Sequence, residues 1–145
     1  MTDTPTPADT VDPDGYVKVF HEGFNEWIGP VYGRFDGPRL GPHHFFIDVR
    51  PDHLNGGGMT HGGFLAAISD VVLGSTVAHS VDGMGATISL NCDFLSGVEA
   101  GTRLQGEATI SRLTRSVAFV SGRLFTDDKT VLTANGIWKI FTRTT

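Results

Sequence analysis

The sequence lacks most features of secreted, membrane-spanning and nucleic-acid-binding proteins. Its 145 residues include one cysteine, Cys92, so no disulfide can form within the chain and a reducing compartment fits. No uninterrupted apolar run approaches the ~18 residues that suggest a membrane span. The net charge of -5 gives no reason to expect a nucleic-acid partner. We therefore predict a cytoplasmic protein with neither a membrane nor a nucleic acid as partner.

Basic residues are also missing from the first fourteen positions, which carry four Asp and three Pro. Such a segment has little to bury and is neither a signal peptide nor a transit peptide. We predict a disordered leader over residues 1–14. The remainder shows no internal repeat and no dividing linker, and its apolar content is ordinary for a globular protein. A single domain is therefore predicted over residues 15–145.

The apolar periodicity predicts a mixed fold in which consecutive strands follow two helices. Spacings of three and four predict an amphipathic helix over 17–28, and two strands follow at 31–36 and 44–49. A second helix, 64–79, is apolar on nearly all sides and should be buried. Four more strands are predicted at 86–94, 104–110, 116–125 and 131–141. Strands at hairpin spacing imply an antiparallel sheet, so the fold class is α+β, with the sheet wrapped around the buried helix.

Two details of the later strands can also be predicted. The alternation over Ala86–Phe94 places Leu90 on one face of the sheet and Thr87 on the other. The pair Asn135-Gly136 is typical of a hairpin turn but lies inside an apolar run. Because residues 127–129 already supply a turn, we favour a bulged or bent strand there.

The string Asn55-x-x-Gly58-x-x-His61-Gly62-Gly63 lies at the start of the buried helix, and we expect it to form part of the active site. Gly62 and Gly63 lie where the helix should begin, and the first N–H groups of a helix have no partner within it. Together with the helix dipole, such groups stabilise negative charge that develops on a carbonyl oxygen. The sequence therefore predicts an oxyanion-binding site at this helix start.

Asp70 is the one charged residue between His61 and Asp82 and is surrounded by apolar residues. Burying a carboxylate costs several kcal/mol, roughly, unless it is paired or has a task. A structural ion pair is one interpretation; we favour catalysis. Asp70 lies two helical turns, about 12 Å, from Gly62, which is too far for one small carbonyl compound to touch both. If both act together, one of them should come from a symmetry mate, which predicts a dimer.

The segment from His53 to Asp70, HLNGGGMTHGGFLAAISD, closely resembles the PaaI-like branch of the hotdog acyl-CoA thioesterases. The resemblance covers most of the chain from about Gly29 onward. It implies a sheet curled around a central helix, and dimers, frequently paired into tetramers, with each site between two subunits. It also implies an acyl-CoA substrate that is hydrolysed to a free acid and CoA, with no cofactor besides.

The resemblance implies a role for each matching position. Asp70 matches the acid that acts as general base on water or as nucleophile, and Gly62 matches the oxyanion donor. His61 and Asn55 match residues that shape the loop and hold the thioester near it. Thr87 matches a residue that orients the attacking water, although an ordinary strand threonine is an equal alternative. His61 could equally brace the loop without transferring a proton.

The substrate-binding positions implied by the resemblance are Gly58 and Gly63 in the loop, and Arg112 and Arg115 for the CoA phosphates. The turn before Arg115 lacks a glycine that is common in the family, which departs from the pattern. The acyl group stays open between phenylacetyl-type, short-chain and medium-chain groups. A non-catalytic acyl-CoA-binding module and a hotdog dehydratase are the alternative functions.

A metal site is the remaining alternative, because the chain has four histidines within 43–61. No pair among His43, His44, His53 and His61 has the spacing of a zinc ligand set, so no metal is predicted.

Overall fold

A computed structural model of the chain describes residues 14–20 and 22–142, so most of the predicted leader lies outside the described residues. Within these residues lie two α-helices, a short 3₁₀ helix at Pro51–His53 and seven strands. The helices are α1 Gly23–Ile28 and α2 Gly62–Ser80. The strands are β1 Val17–Val19, β2 Val31–Arg34, β3 His43–Asp48, β4 Gly83–Phe94, β5 Arg103–Leu113, β6 Val117–Phe125 and β7 Thr130–Thr142.

The seven strands form one sheet in the order β1-β2-β3-β5-β6-β7-β4, and every neighbouring pair is antiparallel. The long helix α2 packs against one face of this sheet, and its small Gly74 lets the ring of Trp138 approach closely. This confirms the predicted α+β class with a sheet around a buried helix.

Helix α2 is long and apolar enough, by composition alone, to cross a membrane, yet it is the core helix of the fold. Of its most apolar window, 56% is buried against the rest of the chain. The hydroxyls of Ser69, Thr76 and Ser80 each donate to the carbonyl four residues earlier, at 2.6 to 3.0 Å. These three polar side chains thus lie inside the core with their hydrogen bonds made.

The predicted helix over 17–28 is wrong in its first half. Residues 17–19 form β1, which pairs with β2 through Val17 with Gly33 and Val19 with Val31. The backbone then enters the left-handed region at Phe20 (φ 46°) and Gly23 (φ 62°), which a continuous right-handed helix cannot accommodate. Only the six residues of α1 are helical, so the expected N-terminal helix exists in shortened form.

Asn135-Gly136 lies inside an unbroken strand, so the hairpin alternative is wrong. Gly136 is needed for close approach, because a Cβ there would lie 2.5 Å from the ring of Trp138 and 2.7 Å from the Ser89 carbonyl oxygen. The irregularity that we expected in this strand lies in its neighbour, where the register of β4 shifts between Thr87 and Ser89.

This bulge also overturns the predicted alternation of β4. Thr87 pairs with Trp138 and Leu90 pairs with Gly136, two positions on the same face of β7. The extra residue, Ile88, therefore brings Thr87 onto the face that Leu90 occupies, toward α2.

Strand β4 forms one edge of the sheet and is unusually long and apolar for an edge. It has twelve residues, and Met84, Ile88 and Phe94 are 68%, 57% and 52% exposed. A long edge strand with open backbone groups and exposed apolar side chains is a surface on which another chain can pair.

Candidate active site

The loop before α2 is shaped by the side chain of Asn55. Its Oδ1 accepts from the backbone N–H groups of Gly57 at 2.8 Å and Met59 at 3.3 Å. The Asn55 backbone closes the same loop, donating to the Met59 carbonyl at 2.7 Å and accepting from Gly58 N–H at 3.1 Å. Gly58 has φ 85°, a conformation that glycine adopts without strain. The structure thus places Asn55 and Gly58 as the residues that hold the loop closed.

His53 anchors this loop to the rest of the chain. Its Nδ1 accepts from the Arg50 N–H at 3.0 Å, its Nε2 lies 2.8 Å from the Ile28 carbonyl, and its ring stacks on Phe64. Burial, and secondarily the positive charge of Arg50, lowers the pKa of His53. With Nδ1 accepting, the neutral ring donates from Nε2. The His53 carbonyl then receives the N–H of His61 at 2.9 Å, at the start of α2.

His61 is the N-cap of α2. Its Nδ1 accepts from the Gly63 N–H at 2.7 Å, so one of the helix's unpartnered donors is already engaged. A Cβ on Gly63 would lie 3.0 Å from this nitrogen, so a larger residue at this position would require the His61 ring to move by a few tenths of an ångström. A Cβ on Gly62 would meet only a ring carbon of Phe94, at 3.9 Å.

Two backbone donors remain open at this helix start. Within residues 14–20 and 22–142, neither Gly62 N–H nor Phe64 N–H has an acceptor, whereas Leu65 N–H bonds the His61 carbonyl. Sequence reasoning named Gly62 and missed Phe64. The signal was available, because the third residue of any helix also lacks an intrahelical acceptor for its N–H.

Asp70 lies half-buried on α2 and is held by β4. The Thr87 hydroxyl donates to Asp70 Oδ1 at 2.7 Å. No cation pairs with Asp70 in the described part of the chain, so the ion-pair interpretation has no partner there. Asp70 and Thr87 line a cavity of about 420 Å³ together with Trp138 and the start of β4.

The two ends of the motif line different cavities. His61 and Gly63 line a smaller one of about 240 Å³, and Asp70 does not line it. Because α2 runs unbroken from Gly62, Asp70 lies eight residues along it, about 12 Å away.

Arg112 and Arg115 are exposed near the turn between β5 and β6, and neither has an acidic partner among the described residues. This end of β5 lies by the end of α2, since Ile110 N–H donates to the Leu40 carbonyl and Ser80 Oγ donates to the neighbouring Arg39 carbonyl. Within one chain the two arginines are therefore placed away from Gly62.

His43, one of the histidines considered as a metal ligand, lies in the core. His43 is buried against Phe35, its Nε2 lies 3.3 Å from the Pro38 carbonyl, and burial lowers its pKa. Among the described residues, no three His, Cys, Asp or Glu side chains are arranged to hold a metal ion.

Comparison with known proteins identifies the family. The model of the Thioesterase superfamily matches residues 57–133. A provisionally named esterase of Pseudomonas aeruginosa is 30% identical over 131 residues, which cover 88% of this chain and 96% of the relative.

Two solved structures have a similar fold. A phenylacetic acid degradation-related protein of Ralstonia eutropha is 30% identical, with a TM-score of 0.68 over 74% of this chain and 83% of the other. A Bacillus halodurans protein solved with CoA is 24% identical, with a TM-score of 0.64 over 72% and 70%. The resemblance to the PaaI-like branch, which comprises phenylacetic acid degradation proteins, is confirmed. The chain belongs to the thioesterase superfamily and has its hotdog fold, and the predicted thioester hydrolase class is thereby confirmed.

Proposed function

We propose that the protein hydrolyses an acyl-CoA to a free acid and CoA, at sites built from two copies of the chain. The observation that carries the proposal is the hydrogen bond between Asp70 and Thr87, two residues that line a 420 Å³ cavity. Asp70 belongs to the same helix whose start has open N–H donors. The pair supplies a carboxylate and the helix start supplies the oxyanion site, which are the two groups that thioester hydrolysis requires.

The helix start binds the thioester carbonyl. Gly62 N–H and Phe64 N–H point out of the first turn without acceptors among the described residues, and the helix dipole adds to their positive potential. As the carbonyl carbon is attacked, negative charge moves to its oxygen, where these donors stabilise it. His61 contributes by fixing the first turn through its bond to Gly63 N–H, in a positioning role.

Asp70 acts on the carbonyl carbon, either by taking a proton from water or by direct attack. The hydroxyl of Thr87 donates to Oδ1, which fixes the carboxylate and leaves Oδ2 for the reaction. In this proposal Thr87 orients the carboxylate itself, and through it the attacking water.

The site is shared between two subunits. Gly62 and Asp70 lie about 12 Å apart on one helix and line different cavities, so one carbonyl cannot meet both within a chain. The exposed apolar edge β4, which carries Thr87, offers the surface on which a second copy pairs. A homodimer brings Asp70 of one copy to Gly62 of the other, and pairs of dimers form the tetramer.

The CoA phosphates meet Arg112 and Arg115 of the subunit that supplies Asp70. These cations have no acidic partners in the described chain and lie away from Gly62 of their own subunit. The CoA that accompanies the Bacillus halodurans structure supports a CoA ester as the ligand class of this fold. The proposed setting is the cytoplasm, without nucleic acid, membrane or further cofactor.

A thiol-release assay over a panel of acyl-CoAs tests the function. Asp70→Ala should lower kcat at least tenfold while size-exclusion chromatography with light scattering still shows the wild-type assembly. Asp128→Ala, which removes an exposed turn carboxylate, serves as the control and should keep wild-type kcat. Retention of more than about a tenth of wild-type kcat by Asp70→Ala would refute the role of Asp70.

A further inference from the structure

The 240 Å³ cavity beside the start of α2 has an apolar wall that the proposed chemistry does not use. Its apolar lining comes from three segments: α1, the loop before α2 and the first turns of α2. The residues are Phe24, Ile28, Leu54, Phe64 and Ala67.

The cavity opens next to the oxyanion donors. His61 and Gly63, the cap pair that flanks Gly62, line its rim. A thioester carbonyl bonded to Gly62 N–H has two substituents, the acyl chain and the sulfur with its long polar pantetheine arm. The arm must reach solvent and the phosphate-binding cations, so the apolar cavity fits the acyl chain.

Helix α1 forms the outer wall of this cavity, although it buries none of its own residues. It is fixed instead through its last carbonyls. Arg50 donates to the carbonyls of Gly29 and Trp27, and His53 Nε2 lies 2.8 Å from that of Ile28. A guanidinium at a helix C-terminus is favourable for both hydrogen bonding and the dipole. The same His53 joins the loop that carries His61, so the wall and the oxyanion site are held by one set of bonds.

We propose that this cavity is the acyl subsite and that Phe24 and Ala67 determine the length of the acyl group. The inference rests on the proposed function. At about 30 Å³ for each water-sized group, a volume of 240 Å³ holds about eight such groups. The part of the cavity that one chain forms therefore accommodates about eight carbons, and we expect acyl groups of this length or shorter to be the best substrates.

The test is the acyl-length profile of kcat/KM, measured by thiol release with straight-chain acyl-CoAs from acetyl to palmitoyl. Wild type should show its optimum at about eight carbons or fewer. Ala67→Leu fills the cavity and should lower kcat/KM for octanoyl-CoA relative to butyryl-CoA by about tenfold or more. Phe24→Ala opens the wall and should raise kcat/KM for dodecanoyl-CoA relative to octanoyl-CoA by about tenfold.

Trp27→Ala is the matched control, because Trp27 is the other large exposed aromatic of α1 and does not line the cavity. It should keep the wild-type profile. If Ala67→Leu does not fold, Ala67→Val replaces it, with the same direction expected.

An unchanged acyl-length profile in both the Phe24 and Ala67 variants, with wild type active, overturns the acyl subsite alone. A wild-type optimum at sixteen carbons also overturns it. Wild type that releases no thiol from any acyl-CoA overturns the proposed function, and the subsite with it.

Discussion

The Thr87 hydroxyl reaches Asp70 Oδ1 at 2.7 Å, across the boundary between β4 and α2. This contact depends on the β-bulge between Thr87 and Ser89. In a regular strand Thr87 would lie on the opposite face from Leu90 and point away from α2. The one irregular residue, Ile88, thus directs the threonine to the carboxylate, in keeping with the frequent occurrence of bulges next to active sites.

Thr87→Val should lower kcat about ten- to a hundredfold and leave KM nearly unchanged. The substitution keeps the size of the side chain and removes the hydrogen bond to a carboxylate, whose loss costs about 1.5 to 3 kcal/mol. Thr87→Ser retains the hydroxyl and should retain most of the activity. Steady-state kinetics of both variants decide the point: activity that is kept by the valine variant and lost by the serine variant would mean that the methyl group, not the hydroxyl, matters.

The buried helix and its motif could be predicted from the sequence, whereas the N-terminal segment could not. Residues 64–79 carry continuous apolar character, and no competing structure satisfies it. Before them, the spacing of Val17, Phe20 and Phe24 suits a helix equally well as it suits a strand followed by a turn. Pairing with β2 decides between the two, and such tertiary pairing leaves no local periodic signal.

The positions of the candidate site residues on helix α2 could be predicted from the sequence. The positions that depend on packing between strands could not. The positions of Gly62 at the helix start and of Asp70 two turns further follow from the helix alone, because helical rise and termini are regular. A role for His61 was implied by the family resemblance. The face on which Thr87 lies depends on the bulge, and the close approach of Trp138 to Gly136 depends on packing between strands. Neither can be obtained from alternation, since a one-residue shift reverses every side chain.

Gly63→Ala should destabilise the protein by about 1 to 2 kcal/mol. The new Cβ would lie 3.0 Å from His61 Nδ1, so the ring must move by a few tenths of an ångström and we expect the cap bond to weaken. Gly56→Ala, in the loop that precedes the helix, is the control, because no atom lies within 4 Å of a Cβ built there. Chemical denaturation measures both. Equal stability of the two variants would show that the His61 cap contributes nothing.

His53→Asn should destabilise the protein more at pH 8 than at pH 5. Burial and Arg50 lower the pKa of His53 below its ordinary value of 6.5. The neutral ring therefore stabilises the fold fully above pH 6.5, and this contribution is lost as the pH falls from 6.5 toward the folded pKa. Asparagine does not titrate here, so the difference in free energy of unfolding between wild type and variant should narrow on acidification. A difference that is constant from pH 8 to pH 5 would contradict the neutral, hydrogen-bonded ring.

Gly62→Pro should lower kcat about a hundred- to a thousandfold with little loss of stability. Proline is tolerated at the first position of a helix, and His61 already has the extended conformation that precedes proline (φ -67°, ψ 137°). The substitution removes one N–H and leaves the cap intact. Gly62→Ala keeps the N–H in a space where the added Cβ meets one atom at 3.9 Å, and should stay active. Activity of the proline variant near the alanine level would exclude Gly62 as oxyanion donor.

Two variants that are each inactive as homodimers should regain activity when one chain of each forms a mixed dimer. In a dimer of one Gly62→Pro chain and one Asp70→Ala chain, one site combines two defects and the other has an intact Gly62 and an intact Asp70. Co-expression with two different tags and purification on both isolates assemblies that contain both chains, and each mixed dimer in them should show about half the wild-type kcat per dimer. Each homodimer, prepared in the same way, should be inactive. If every site instead lay within a single chain, each chain of the mixed dimer would carry one defect and no activity would return. Restored activity therefore distinguishes a site that two subunits share from a site that lies within one chain. No contact within one chain can restore the activity of the mixed dimer.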